Sequence, residues 1–147
     1  MTIINPTPNK TYILSNTSTG TSLLFSSHEY FKAAPLTPST EPSPHNHIYF
    51  IPTTDNPSYC RIHTRALGDN WSLGVIKPIK RKLHFYKTGE GNYSDQYWRL
   101  DTWGDGTVRL SNGDTGEEVR LDVDTGTKVP FMGKGERSEQ HWTLAEV

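Results

Sequence analysis

Apolar side chains recur along the chain at a fixed spacing. Tyr12, Cys60 and Val108 follow one another at steps of 48 residues, and the residue two places later is apolar each time. The same step relates three glycines and two further apolar sets: Gly20, Gly68 and Gly116; Leu23, Trp71 and Val119; Phe25, Leu73 and Leu121. Mostly polar residues separate the apolar positions, and alternation with a period of two is typical of half-buried β-strands. Each recurring glycine indicates a turn that needs a positive φ.

Each repeated unit continues with a third strand and closes with a fourth. The third strand is clearest over residues 82–87 (KLHFYK) and 128–132 (KVPFM). The fourth reads QYWRL at 96–100 and QHWTL at 140–144, and its Trp and Leu, two residues apart, share the buried face. In the first unit HIYFI at 47–51 takes this place, with His47 for the glutamine and Tyr49 for the tryptophan. A register with Phe50 opposite Trp98 is the alternative.

The repeat predicts an all-β domain of about twelve strands, because one four-stranded unit cannot bury its apolar face alone. A β-trefoil solves this by placing the first and fourth strands of each unit in a six-stranded barrel capped by three hairpins. A seven-stranded sandwich is the competitor, but it gives no reason for the 48-residue period. We therefore expect a single β-trefoil domain over residues 1–147, with units at approximately 9–56, 57–104 and 105–147.

The closing strands also carry a family signature. Two units end in Gln-x-Trp, and the third unit has Leu-Asp-Val at 121–123. With these motifs the chain resembles the ricin B-type β-trefoil family from Thr11 to Val147. The resemblance implies a carbohydrate-binding module of the kind frequent among cytoplasmic fungal lectins, with glycans ending in galactose or N-acetylgalactosamine as partners. Such a site combines a carboxylate or amide with an aromatic platform, because a sugar presents hydroxyls and one apolar face.

The resemblance assigns sugar-binding positions most fully in the third unit. Asp122 matches the family's sugar-binding aspartate, and Gln140 matches its glutamine. Met132 stands where a stacking aromatic is expected, and Glu139 stands where an asparagine usually precedes the glutamine. We expect Asp122 on the outward phase of its strand, between the buried Leu121 and the next turn. The third unit is therefore predicted to carry the stronger site.

The second unit keeps a different part of the pattern. Tyr86 fits the aromatic platform and Gln96 the glutamine, whereas Gly74 replaces the aspartate and Asp95 the asparagine. In the first unit Ser26 occupies the aspartate position. Because no unit carries the full set, a trefoil that binds protein, for example a protease inhibitor, remains the alternative. Trp103, or Tyr30 with Phe31, could anchor such a partner.

Composition excludes several other functions. The 15 Lys and Arg nearly balance the 16 Asp and Glu, so we expect no nucleic-acid partner, and the basic run at 77–82 is interpreted as a solvated loop. Cys60, the one cysteine, is predicted to be buried and inert. His45 and His47 are too few for a metal site, and no cofactor or catalytic motif is recognisable. No secretory signal or membrane-spanning run is present, which predicts a cytoplasmic protein without membrane insertion.

Overall fold

The structure, a computed structural model, describes residues 3–23, 46–75, 82–88, 94–127 and 129–147. These residues form strands joined by turns and two single-turn 3-10 helices. In chain order they are β1 (Ile3–Ile4), β2 (Tyr12–Asn16), β3 (Ile48–Pro52), β4 (Cys60–Thr64), β5 (Trp71–Val75), β6 (Leu83–Lys87), η1 (Ser94–Gln96), β7 (Trp98–Thr102), β8 (Val108–Asn112), β9 (Gly116–Val123), β10 (Pro130–Lys134), η2 (Ser138–Gln140) and β11 (Trp142–Glu146).

Six of these strands form a closed barrel. The antiparallel pairs run from β2 to β3, β4, β7, β8 and β11, and β11 pairs with β2 again. These are the first and fourth strands of the three units, as the sequence predicts. Closure leaves no unpaired edge within the ring, so the backbone groups of all six strands have neighbours.

The register of the barrel repeats three times. Leu14 lies opposite Leu144, Ile62 opposite Phe50 and Leu110 opposite Leu100. At the next inward position of the closing strands stand Ile48, Trp98 and Trp142, which face Thr64, Asn112 and Asn16 respectively. All three of these closing-strand residues are fully buried. The described apolar positions of the 48-residue repeat therefore form one core, with Trp71 and Val119 partly buried against it.

This register corrects the expected alignment of the first unit. Ile48, not Tyr49 or Phe50, occupies the place of Trp98, because Ile48 pairs with Thr64 as Trp98 pairs with Asn112. Asn46, not His47, therefore stands two residues earlier at the glutamine position, and its side chain is fully buried there. Tyr49 points away from the barrel axis, where its ring stacks on His63.

Hairpins cap the barrel in the second and third units. β5 pairs with β6, and β9 pairs with β10. The indole N–H of Trp98 donates to the Leu73 carbonyl oxygen at 2.8 Å, and that of Trp142 donates to the Leu121 carbonyl oxygen at 3.1 Å. Each buried tryptophan therefore ties its own hairpin to the barrel while its indole fills the core.

The recurring glycines lie in the turns that the repeat predicts. Gly20, Gly68 and Gly116 have φ values of 69°, 77° and 86°, where a side chain would be strained. Several predictions concern residues outside the described ranges: Ser26 in the first unit, Tyr30 and Phe31, the basic residues 77–81, and His45.

Candidate functional site

A groove of about 680 Å³ opens on the third unit, between the turn after β8 and the β9–β10 hairpin. Cavities of about 300 to 1,000 Å³ are the usual size of a small-ligand site. Apolar and charged side chains both line it: Asp114, Thr115, Val119, Phe131, Met132, Gly133, Lys134 and Arg137. The groove therefore offers an apolar wall together with hydrogen-bonding groups of both charges.

Phe131 provides the aromatic wall of this groove. Strand β10 alternates, so that Pro130 and Met132 are buried while Phe131 between them is half-buried and faces outward. Met132 is 1% exposed and belongs to the core. Met132, predicted at the stacking position, therefore offers the groove little side-chain surface, and the neighbouring Phe131 presents the aromatic ring.

Asp122 lies beneath the groove. We expected its carboxylate on the surface, but the structure buries it. Its side chain is 0% exposed, and its register partner across the hairpin is Phe131. Asp122 Oδ1 accepts the Val123 N–H at 2.8 Å, while Oδ2 accepts from Gln140 Nε2 at 3.1 Å and from Arg137 Nε at 3.0 Å. A Cβ at Gly133 would stand 2.4 Å from Oδ2, so glycine there lets the hairpin close over the carboxylate.

Arg137 connects the buried carboxylate to the groove. Its side chain is 45% exposed, and its Nη2 also donates to Glu139 Oε1 at 3.3 Å. A hydrogen bond from the Ser138 hydroxyl lowers the pKa of Glu139, so this carboxylate stays ionised. Glu139 is half-buried and Gln140 fully buried, and neither lines the groove. Glu139 contacts Arg137 and Gln140 contacts Asp122, both on the side away from the groove.

In the second unit the matching positions carry other residues. His84 pairs with Gly74 as Phe131 pairs with Asp122, so His84 holds the outward position and Tyr86 corresponds to Gly133. The His84 and Tyr86 rings stack at 5.4 Å. A Cβ at Gly74 would stand 3.4 Å from Asp95 Oδ2, so the η1 turn brings a carboxylate to the place where the third unit has Asp122.

Gln96 and its third-unit counterpart both donate to the second strand of their hairpin, at positions one residue apart. Gln96 Nε2 donates to the Lys87 carbonyl oxygen at 2.8 Å, whereas Gln140 Nε2 donates to the carbonyl oxygen of Gly133, the counterpart of Tyr86, at 3.3 Å. Both glutamines are fully buried. Tyr86 stacks on His84 and Asp95 acts on it through its charge, while Gln96 lies next to Gly74, the register partner of His84. Sequence reasoning did not include His84. Burial lowers the pKa of His84, which favours the neutral ring.

Sequence reasoning missed both Phe131 and Arg137. For Phe131 the sequence holds no clear signal, because residues 129–132 are consecutive apolar residues and their alternation has no readable phase. For Arg137 the sequence holds no signal either, because the contact with Asp122 depends on how the η2 turn meets the hairpin.

Comparison with known proteins identifies the architecture. No protein-family model and no curated protein matches the chain. Among solved structures, the designed threefold-symmetric protein ThreeFoil matches with a TM-score of 0.74 at 20% identity, over 93% of this chain and 99% of that one. The BEL β-trefoil matches with a TM-score of 0.76 at 13% identity, over 98% and 97% of the two chains. The chain is a β-trefoil.

A third match places the same fold inside an enzyme. The exo-β-1,3-galactanase 1,3Gal43A from Clostridium thermocellum matches this trefoil with a TM-score of 0.76 at 21% identity, over 98% of this chain and 31% of the galactanase. Identities this low show the fold alone.

Trp103 of this trefoil has internal partners. Its ring stacks on His141 at 4.4 Å, and the guanidinium carbons of Arg109 and Arg120 lie 5.0 Å from its centroid. Its Nε1 donates to the Gln140 carbonyl oxygen at 3.0 Å. These contacts join the loop after β7 to η2. They explain why a tryptophan stands at this position without invoking a binding partner.

Cys60 is buried in the trefoil barrel, as predicted. Burial raises the pKa of its thiol to about 12, so the thiolate is absent at neutral pH. No helix in the described ranges is both long and apolar enough to cross a membrane. Within the same ranges no group of three potential metal ligands comes together.

Proposed function

We propose that this β-trefoil is a non-catalytic carbohydrate-binding module of the ricin B type, and that the third-unit groove is its main site. The observation that carries the proposal is the half-buried Phe131 ring on the wall of a 680 Å³ groove whose rim has both hydrogen-bond donors and acceptors. A pyranose stacks its apolar face on an aromatic ring while its hydroxyls need polar partners at the edge.

In this proposal the polar roles differ from those expected for the family. Asp122 is closed off by Gly133, so it cannot accept hydrogen bonds from sugar hydroxyls directly. It holds the Arg137 guanidinium, whose remaining N–H groups donate toward the groove. Asp114 supplies the acceptor on the opposite wall. A charged donor and a charged acceptor across one ring form the stronger class of hydrogen bond.

The absence of a catalytic step is part of the proposal. Hydrolysis of a glycosidic bond needs two carboxyl groups flanking that bond. Among the described residues of the groove wall Asp114 is the one carboxylate, since Asp122 is buried and paired with Arg137. The arrangement favours reversible binding.

Galactose or N-acetylgalactosamine is the first sugar to test. The family resemblance suggests these ends, and one structural neighbour is an exo-β-1,3-galactanase in which the matched trefoil is 31% of the chain. A protein-binding trefoil is the alternative; its proposed anchors Tyr30 and Phe31 lie outside the described residues, among which Val147 is the one exposed large hydrophobic. Interfaces rely on buried aromatic and aliphatic anchors.

A glycan array followed by titration calorimetry with galactose and N-acetylgalactosamine tests the proposal. We expect millimolar binding, about 4 kcal/mol, because the site is shallow and single. Phe131→Ala should abolish it, whereas Tyr86→Ala should retain it, with circular dichroism checking that both variants fold. Loss with Tyr86→Ala alone would move the main site to the second unit. A blank array combined with inhibition of a protease would replace the proposal with the protein-binding alternative.

A further inference from the structure

A second cavity adjoins the groove of the third unit. It measures about 490 Å³ and shares Thr115, Val119 and Lys134 with the first cavity. The shared residues come from both strands of the β9–β10 hairpin and from the turn before it, so the two cavities meet along the hairpin. Together the two adjacent cavities extend from Phe131 to Glu136.

The second cavity has its own chemistry. The residues that line it and not the first are Glu118, Arg120, Gly135 and Glu136. Glu118 and Glu136 are exposed carboxylates, and Arg120 is held by donation from its Nη1 to the Gly135 carbonyl oxygen at 3.0 Å. Together with the shared Lys134, the described wall of this cavity has two cationic side chains and two carboxylates, so their charges cancel.

A wall with balanced charges favours a neutral polyhydroxylated ligand. An ionic ligand would meet one carboxylate or ammonium of its own sign for each opposite charge, whereas a hydroxyl both donates and accepts. Val119 is the one large apolar side chain among the described residues of this wall, so an apolar ligand would leave the charged groups without water or partners.

We infer that the third-unit groove binds an extended neutral oligosaccharide, with its terminal ring against Phe131 and the following rings in the second cavity. The inference rests on the proposed function of the first cavity and adds a subsite to it. Contacts along the two cavities should add binding energy for each further ring, so affinity should rise with chain length.

The chain offers a matched pair of variants for the test. Glu117 and Glu118 are neighbours on β9 and both are exposed. Glu118 lines the second cavity, whereas Glu117 pairs with Arg99 Nη1 of β7 and lines neither cavity. Glu118→Ala removes a proposed ligand contact, and Glu117→Ala removes the same charge at a distance from it.

The experiment is calorimetric titration of the full chain with galactose, with N-acetyllactosamine and with its linear two-repeat tetrasaccharide, all ending in galactose. We expect the tetrasaccharide to bind at least tenfold more tightly than galactose. Glu118→Ala should weaken tetrasaccharide binding roughly five- to tenfold, within the range of one hydrogen bond, and leave galactose binding unchanged. Glu117→Ala should behave as the unmodified protein.

Equal affinity for galactose and the tetrasaccharide would overturn the inference and leave the proposed function standing. Equal effects of Glu117→Ala and Glu118→Ala would also overturn it, because the second cavity would then make no specific contact. If no glycan binds in the array or the titrations, the proposed function fails and the inference fails with it.

Discussion

Replacing Asp122 with alanine should destabilise the trefoil as well as weaken its groove. The buried Val123 N–H loses its acceptor, and Gln140 Nε2 keeps only the Gly133 carbonyl oxygen at 3.3 Å. A buried donor left without an acceptor costs about 1 to 3 kcal/mol, and the vacated volume adds to this. Arg137 is 45% exposed and can turn to water, so losing its ion pair with Asp122 adds little to the cost. We expect the free energy of unfolding to fall by about 2 to 4 kcal/mol.

Urea denaturation followed by tryptophan fluorescence measures this change, with the midpoint read at constant m-value. Asp124→Ala is the matched control. Asp124 also accepts two backbone N–H bonds, from Gly126 and Thr127, but its turn is exposed and water can replace them. The control should lose less than about 1 kcal/mol. An unchanged midpoint for Asp122→Ala together with abolished sugar binding would refute this reasoning and return Asp122 to the surface.

Two further predictions concern the core and pH. Trp98→Ala should cost roughly 3 to 5 kcal/mol, because Trp98 is fully buried and its indole donates to Leu73; an unchanged melting temperature would contradict its placement. Burial lowers the pKa of His63, so the unfolded chain binds a proton that the folded chain resists. Stability should therefore be full above the ordinary pKa of about 6.5 and fall as pH drops below it. His63→Asn keeps a donor for the Trp71 carbonyl oxygen and should flatten that fall in thermal melts; an equally steep fall would assign it to other groups.

The barrel could be predicted because two signals, the alternation of apolar and polar residues and the 48-residue repeat, mark the same buried positions. Leu100 and Leu110, for example, stand between polar or charged neighbours, so the phase of each strand is unambiguous. Three repeats of such strands bury their apolar faces most simply by closing into one barrel. The observed register confirms this closure.

The errors have a common physical origin in runs of consecutive apolar residues. Ile48, Tyr49 and Phe50 are all buried, Tyr49 against His63 and Arg65, so alternation gives no phase there. Phe131 and Met132 pose the same difficulty in β10. The burial of Asp122 needed a different kind of information, since it follows from the missing side chain of Gly133 and not from any pattern within β9.

The pairing of β2 with β11 closes the barrel and joins the two ring strands that lie furthest apart in the sequence. Tyr12 lies opposite Glu146, and the Val147 N–H donates to the Thr11 carbonyl oxygen at 2.9 Å. The ring therefore stays open until its most distant strands meet, a contact that is slow to form because of the long intervening chain. Since the chain enters and leaves the ring side by side, the barrel could be spliced into another polypeptide, or permuted at a unit boundary, without parting any other pair of strands.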